Sequence, residues 1–483
     1  MQKVTAPIQS TQASNISSLK KALTKWDLLS IGIGAVIGWS WVIYGGIWST
    51  TPGSMGGIIA FLIGGILCTF IGFTYAELSS AFPYAGGDII YTFEGLGSKW
   101  AYFSGAFLTV IFAGLIVVET IMLPLLLDAF GVPIPKILPL YTLGGEVVYL
   151  SYVILSIIVN LFFAVMNYRG IEFSKAFQTI TVAVLLFAAI FFVGSGIVLG
   201  SVENAQPFFT GIKGLSLTLL MVPGFLLGFN AIAQAAEETN IKPSSIGKIV
   251  ILTVWASVFF YIFIILGTSF AANIGMRESS SIAVLESLSV IYPGSSLPML
   301  FVAIASLIGL LTSWNAAYIA ASRVLLSMGR GRYIPVTFSK IHDKYKTPGT
   351  ATMFLFVISS FGAFLGTSQQ IFGSLVNVVG FFAVFSWLLV TISFVRLRKS
   401  QPDLVRPYRV KRGKLMGILS ICSLIFYLFL YTPLNPLGGL TFAELITTIG
   451  ILVVIAIVYF KYVHFSTIDT SKQKALLFGG QEE

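Results

Sequence analysis

The sequence predicts an all-α integral membrane protein of twelve transmembrane helices, the first ten arranged as two five-helix blocks of opposite orientation. Three observations carry that prediction. Apolar residues make up 56% of the chain against 10% charged, and the mean hydropathy is +0.91, far outside the soluble range. Apolar stretches of about 20 residues, each enough to cross roughly 30 Å of hydrocarbon, recur along the chain. Two of them are interrupted by glycine clusters, GIGAVIG at Gly32–Gly38 and PGFLLG at Pro223–Gly228, each at the head of a five-span block.

Taken in order, span 1 covers 28–49 and contains the first cluster. Span 2, 56–82, ends in the YAEL segment with Glu77. Span 3, 100–127, holds Glu119 within LIVVETIMLP, the carboxylate set well inside an apolar run. Spans 4 and 5, 147–166 and 176–200, lie either side of NYRG. Span 6, 215–236, contains the second cluster and runs into Glu237 and Glu238. Span 7 is 249–272. Span 8, 297–321, places Gly309, Thr312 and Ser313 at i, i+3, i+4, on one helical face. Span 9, 351–366, is short; spans 10, 11 and 12 are 372–395, 415–432 and 441–462. The organisation expected is a disordered cytoplasmic tail over 1–25, a first repeat over 26–200, a second over 201–400, helices 11 and 12 within 401–465, and a second disordered cytoplasmic tail over 466–483. The first 25 residues lack an apolar core and a cleavage site, so they do not read as a signal peptide.

Charge sets the orientation, because positive loops stay in the cytoplasm. With twelve spans and a cytoplasmic N-terminus, Lys136, Lys213 and Arg277 fall outside and the other 26 of 29 basic residues fall inside. The net charge of +10 is then a topology signal and a contact for anionic lipid. Those charges sit in short loops between spans, which argues against nucleic acid as a partner. Cys68 and Cys422 lie inside apolar spans as expected free thiols, and His342 and His464 lie in a loop and at a membrane edge. No catalytic or metal-ligating cluster of His and Cys is present in the sequence, so the chain does not read as an enzyme.

Irregular backbone at membrane depth survives only where protein surrounds it or a wet cavity lies beside it. Two broken helices in corresponding places of two blocks, each with an odd number of spans, describe an inverted repeat with its substrate between the breaks. That is the mark of a secondary transporter. Tight helix packing is the competing explanation of the glycines.

Four segments carry a family resemblance. GIGAVIG resembles the GxGAxxG segment of the amino acid–polyamine–organocation (APC) superfamily. YAELSSAFPYAGGDIIYTFEGLG, Tyr75–Gly97, is similar to that family's passage from helix 2 into the first cytoplasmic loop. GFNAIAQAAEETNIKP, Gly228–Pro243, resembles the end of its helix 6, and ASRVLLSMGRGRYIPVTFSKIHDKYKTP, Ala321–Pro348, the loop after helix 8. The resemblance implies a LeuT-like 5+5 fold with two peripheral helices, and transport of an amino acid or related amine across the plasma membrane by alternating access.

It also implies a site. A zwitterion leaving water needs dipoles that replace its hydration. Amides at the restart of helix 1 would receive the carboxylate; carried over by motif, these belong to Gly38, Trp39 and Ser40. The carbonyls of Val36, Gly224, Phe225 and Leu227 would receive the ammonium. The chain departs from the family at both breaks. Trp39–Ser40–Trp41 follows the first, and Gly224 stands where a bulky aromatic gate is common. A volume swap, with Trp39 taking over part of the lid, is one reading; simple packing of Trp39 and Trp41 is the other.

Coupling is the second expectation. Leu185 occupies the place of the helix 5 lysine of proton-coupled relatives, and Asn230 the place of an acid on helix 6, so both devices are missing. The carbonyls of Gly34, Ile37 and Gly309 with the hydroxyls of Thr312 and Ser313 match the sodium site of sodium-coupled LeuT-fold transporters; the alternative is that the hydroxyls bond back to their own helix. Glu119 reads as a proton carrier, as the partner of a cationic substrate tail, or as a carboxyl bonded to a neighbouring helix. The substrate expected is a neutral amino acid, and no cofactor beyond a sodium or proton coupling ion is expected. The alternative is a cationic amino acid or polyamine transporter or exchanger that uses Glu119.

Overall fold

A computed structural model describes residues 19–366, 368–464 and 468–480. Its first helix, α1 (Lys25–Val36), begins at a capping box: the Thr24 hydroxyl accepts from the Asp27 amide, and the Asp27 carboxylate accepts from the Thr24 amide. After a gap at 37–39 the chain resumes as α2 (Ser40–Thr50), bent by 54° from α1. Then come α3 (Ser54–Ala81), the short α4 (Asp88–Leu96) and α5 (Ser98–Ala129). A two-stranded antiparallel hairpin, β1 (Pro139–Leu143) and β2 (Glu146–Tyr149), follows. The remaining helices of the first half are α6 (Leu150–Arg169) and α7 (Ile171–Leu199).

The second half opens with α8 (Ile212–Phe225), interrupted before α9 (Ala231–Gln234). It continues with α10 (Pro243–Ala271), the short α11 (Ile274–Ser279) and α12 (Ala283–Ile291), and the long α13 (Leu297–Arg330). Last are α14 (Gly349–Gly362), α15 (Gln369–Ser400), α16 (Gly413–Tyr431), α17 (Phe442–Tyr459) and α18 (Thr470–Leu477). Among the described residues nine helices are long and apolar enough to cross a membrane, and the bent pair α1–α2 makes a tenth candidate. α8 and the stretch Gly349–Leu365 are apolar but shorter.

The all-α membrane class stands, with one local addition: Gly144 and Gly145 both have positive φ (58° and 84°) and turn the 139–149 segment back on itself as a hairpin. The fourth span therefore starts at Leu150, not 147. The C-terminal segment 466–483, expected to be disordered, contains α18; its Gln473 amide donates to the Gly331 carbonyl at 2.6 Å and Lys474 pairs with Glu94 at 2.7 Å. Of the expected N-terminal tail, 1–18 lies outside the described residues, while the amides of Ala22 and Leu23 donate to the Glu238 carbonyl. Both described chain ends thus lie on one side of the bundle, called the terminal side below.

α10 runs against α3 and α13 against α5; α7 packs on α10 and α13, α15 on α5 and α4, and α8 on α3 and α15. The outward faces remain apolar: Ile180, Phe187 and Ile190 on α7 are each at least 65% exposed, as lipid-facing side chains are, and Cys422 is exposed on α16.

Candidate functional site

Each glycine cluster carries its helix break at its C-terminal end, and helix 1 restarts at Ser40. α1 runs through Gly32 and Gly34, which give close contact instead: a side chain on Gly34 would meet the Gln178 amide at 2.0 Å. The backbone leaves helical form only over Ile37–Trp39. Pro223 and Gly224 likewise remain inside α8, and the second break spans 226–230. At its centre Gly228 has φ of +132°, and a Cβ there would lie within 2.7 Å of the Ala35 and Val36 backbone. The second break therefore presses on the last turn of α1, directly before the first break, and only glycine allows it.

A cavity of about 60 Å³ lies at this junction. Val36, Gly38, Trp39, Ser40, Glu119, Gly224, Phe225 and Leu227 all border it, with Ser313 and, from α15, Phe372 and Val376. The amides of Gly38, Trp39 and Ser40 have no hydrogen-bond acceptor among the described residues. They are the uncapped start of α2, where the helix dipole is positive. Opposite in sign are the carbonyls of Val36 and Phe225, 2.7 and 3.2 Å from the Tyr261 hydroxyl. Each carbonyl keeps a second lone pair.

Glu119 is buried on α5. Its Oε2 accepts from the Trp39 indole at 2.7 Å and its Oε1 from the Ser313 hydroxyl. No lysine, arginine or histidine bonds it among the described residues. Trp39 also packs on Phe372, with ring centroids 5.0 Å apart. Trp41 points elsewhere, between Phe192 and Phe260. Gly224 leaves room that Val376 fills, its Cγ1 lying 2.9 Å from where a Cβ would stand.

The residues read as a sodium site divide. Ser313 borders the cavity; Thr312 donates back to Ile308 and Gly309 carbonyls. Gly309 abuts the Gly38 carbonyl, and Leu185 packs beside it. Gly34 faces Gln178 and Val182 on α7.

Packed layers lie on both sides of the cavity. Tyr44, Trp48, Phe225, Tyr261 and Phe372 form an aromatic layer away from the terminal side, with Tyr44 and Trp48 centroids 4.9 and 4.8 Å from Phe225. Farther out, buried Arg277 donates to the carbonyls of Ser49, Asn204 and Gln206. On the terminal side the fully buried Arg323 grips Glu238 at 2.7 and 3.0 Å, and Arg330 grips Glu237 at 2.9 and 3.1 Å. Burial works against a charge on Glu237, but the Arg330 guanidinium and the Ala85 amide hold its carboxyl below the usual value. Asp88 joins the same region, accepting from Tyr75, Gln234 and Ser386; burial pushes its carboxyl up to about 7 against those three donors.

Tyr261, Phe372 and Asp88 were not anticipated. An aromatic in an apolar run carries no positional signal. Asp88 stood inside the quoted GGD segment, where an acid followed by an apolar stretch was the available clue.

Residues 23–460 match the sequence profile of the family described as amino acid permease. The chain is 26% identical to the branched-chain amino acid permease BcaP of Bacillus subtilis (strain 168), covering 93% of this chain and 94% of that one. It is 26% identical to the methylthioribose transporter of the same organism, over 94% and 96% of the two chains. It is also 25% identical to that organism's aspartate-proton symporter, over 86% and 80%.

Proposed function

The chain belongs to the amino acid permease family, and on that premise we propose a secondary active transporter that carries a neutral amino acid across the plasma membrane by alternating access. The observation that carries this reading is the junction of the two breaks, where unpaired amides and half-used carbonyls border one small cavity. Such a pair of opposite dipoles suits a zwitterionic head. The walls beyond it are apolar, from Leu115, Val118, Leu227 and Val376, which suits an uncharged tail. Glu119 already accepts two hydrogen bonds, so a cationic tail would have to displace Trp39 or Ser313. The reading with a cationic amino acid or amine rests on that displacement.

The same proposal counts twelve spans, with α1–α2, α8–α9 and α14 as spans 1, 6 and 9, and both termini cytoplasmic. The packing supports two inverted five-helix repeats, because contacts recur when the halves are exchanged. α1 on α7 corresponds to α8 on α15, α1 on α10 to α8 on α3, and α7 on α13 to α15 on α5. Sodium at Gly34, Ile37, Gly309, Thr312 and Ser313 is the coupling this reading carries. The Thr312 and Ser313 protons point to protein acceptors, which leaves oxygen lone pairs for a cation.

The test is a thermal-shift screen of the purified protein against the twenty amino acids and common amines. Proteoliposome uptake of the stabilising compound follows, in sodium and in choline. A substrate at a hundred times its Kd stabilises by about 2.7 kcal/mol. A neutral amino acid should give that shift, with uptake lost in choline. Stabilisation by amines lacking a carboxylate would overturn the head-group assignment, and full uptake in choline would overturn sodium.

A further inference from the structure

Between α15 and α16 the chain reads YRVKRGK, Tyr408–Lys414, with Arg409, Lys411, Arg412 and Lys414 inside six positions and no acidic residue from 404 to 443. All four side chains are exposed, and none pairs with a carboxylate among the described residues. Their neighbours Arg398 and Arg406 are spent differently, both on the buried carboxylate of Glu77.

A loop that merely orients a membrane protein needs positive charge and no particular shape. This loop has a built shape. Glu77 accepts from Arg398, from Arg406 at 3.0 Å and from the Val410 amide at 2.8 Å. Arg398 returns a bond to the Val410 carbonyl at 2.9 Å, the Tyr408 amide donates to Ser80 at 3.0 Å, and Arg406 donates to the carbonyls of Leu397, Gln401 and Leu404. Gly413 lets the Arg398 guanidinium lie against the chain, since a Cβ there would sit 1.9 Å from its central carbon. Arg412, at φ of 51°, turns the backbone into α16. The unpaired cations therefore stand on a fixed base, around a hollow of about 570 Å³.

We propose that this hook, Arg409 to Lys414, binds the phosphate headgroup of an anionic phospholipid from the leaflet on the terminal side. Two features select a lipid over a free phosphate ion. The hollow is lined by Leu415 as well as by cations, and Leu415 and Ile418 are 43% and 57% exposed on the adjoining turn of α16. Phosphate and apolar chain thus meet their partners within one helical turn. Clusters of four or more basic residues directly beside a membrane helix attract anionic headgroups in this way. Nothing in this inference depends on which substrate is carried.

The experiment titrates the purified full chain in neutral detergent with dioctanoyl phosphatidylglycerol, dioctanoyl phosphatidylcholine or inorganic phosphate and follows the melting midpoint. It compares the wild type, a variant with Arg409, Lys411, Arg412 and Lys414 all changed to Gln, and a control with Lys248, Lys340, Lys344 and Lys399 changed to Gln. Phosphatidylglycerol should raise the midpoint of wild type and control alike, with half-saturation at least tenfold weaker in the hook variant, and phosphatidylcholine should do little. Equal weakening in both variants would reduce the hook to bulk charge, and an equal effect of inorganic phosphate would make it a free-anion site; either overturns the proposal. If the hook variant does not fold, native mass spectrometry of wild type from mixed bilayers decides. Retention of phosphatidylglycerol over phosphatidylcholine supports the site, and equal retention ends it.

Discussion

The two helix breaks look alike in sequence and differ in what they do. The first opens toward the cavity: three amides lack acceptors among the described residues, and its tryptophan is tied to a buried carboxylate. The second is turned against the first, with Gly228 pressed on the backbone of Ala35 and Val36. Its far end is locked by the Arg323–Glu238 pair. The first break offers its amides; the second chiefly holds the first and lends the Phe225 carbonyl beside the cavity. A repeat supplies matching geometry twice, but the two copies divide the work when they must also pack together. The side chains follow this division. Trp39 and Phe372 pack at a tilt beside the first break, while Gly224, in α8 just before the second, admits Val376 from α15.

The largest expected effect comes from disturbing the contact of the second break with the end of α1. Gly228→Ala places a Cβ into backbone that has no rotamer to yield, at a φ that L residues avoid. We expect destabilisation of about 3 kcal/mol, the upper end of what strained backbone costs, and loss of transport. Gly34→Ala is the contrast, because its obstacle is the end of the flexible Gln178 side chain. Melting midpoints of the two variants in detergent measure this; equal midpoints would mean that the second break does not hold the first.

How much of this could be read beforehand differs between the elements. Of the twelve spans expected, nine long helices and one bent pair were legible because hydropathy is additive along the chain, while α8 and the stretch Gly349–Leu365 are shorter than a span. The existence of both breaks was legible, but their positions were displaced toward the C-terminal side of each cluster. A single helical glycine costs only about 1 kcal/mol, so Gly32 and Gly34 stay helical where close packing repays it. α18 was hidden because its buried face is short, Gln473, Leu476 and Leu477, and its polar hold comes from distant partners, Gly331 and Glu94. Among site residues, those on the motifs could be named, whereas Phe372 reaches the cavity, and Tyr261 the carbonyls of Val36 and Phe225, from helices whose apolar runs give no phase.

A middle-sized effect tests the first break. Trp39→Phe keeps an aromatic against Phe372 but removes the indole N–H from Glu119. Losing a donor to a buried carboxylate should cost about 1–3 kcal/mol of stability. It should also free Glu119 for a cationic tail, so lysine or arginine competes for uptake more strongly relative to leucine. Adding Glu119→Gln should restore the neutral preference. An unchanged substrate profile in Trp39→Phe would remove the tryptophan from selection and leave it as packing.

The smallest effect probes what joins the two breaks chemically. The Tyr261 hydroxyl stands between the Val36 and Phe225 carbonyls, one from each break, and has a single proton to share. Tyr261→Phe preserves the ring that packs on Trp48 and Phe61 and deletes only that bridge. A neutral hydrogen bond of this kind contributes about 1 kcal/mol, so substrate should bind roughly fivefold more weakly, with little change in melting midpoint of the empty protein. The sign is what matters. Weaker binding means that the hydroxyl holds both carbonyls in place for an ammonium that uses their remaining lone pairs. Tighter binding would mean that the hydroxyl occupies the ammonium position itself, so that the two carbonyls receive an ammonium only once Tyr261 has lost its hydroxyl.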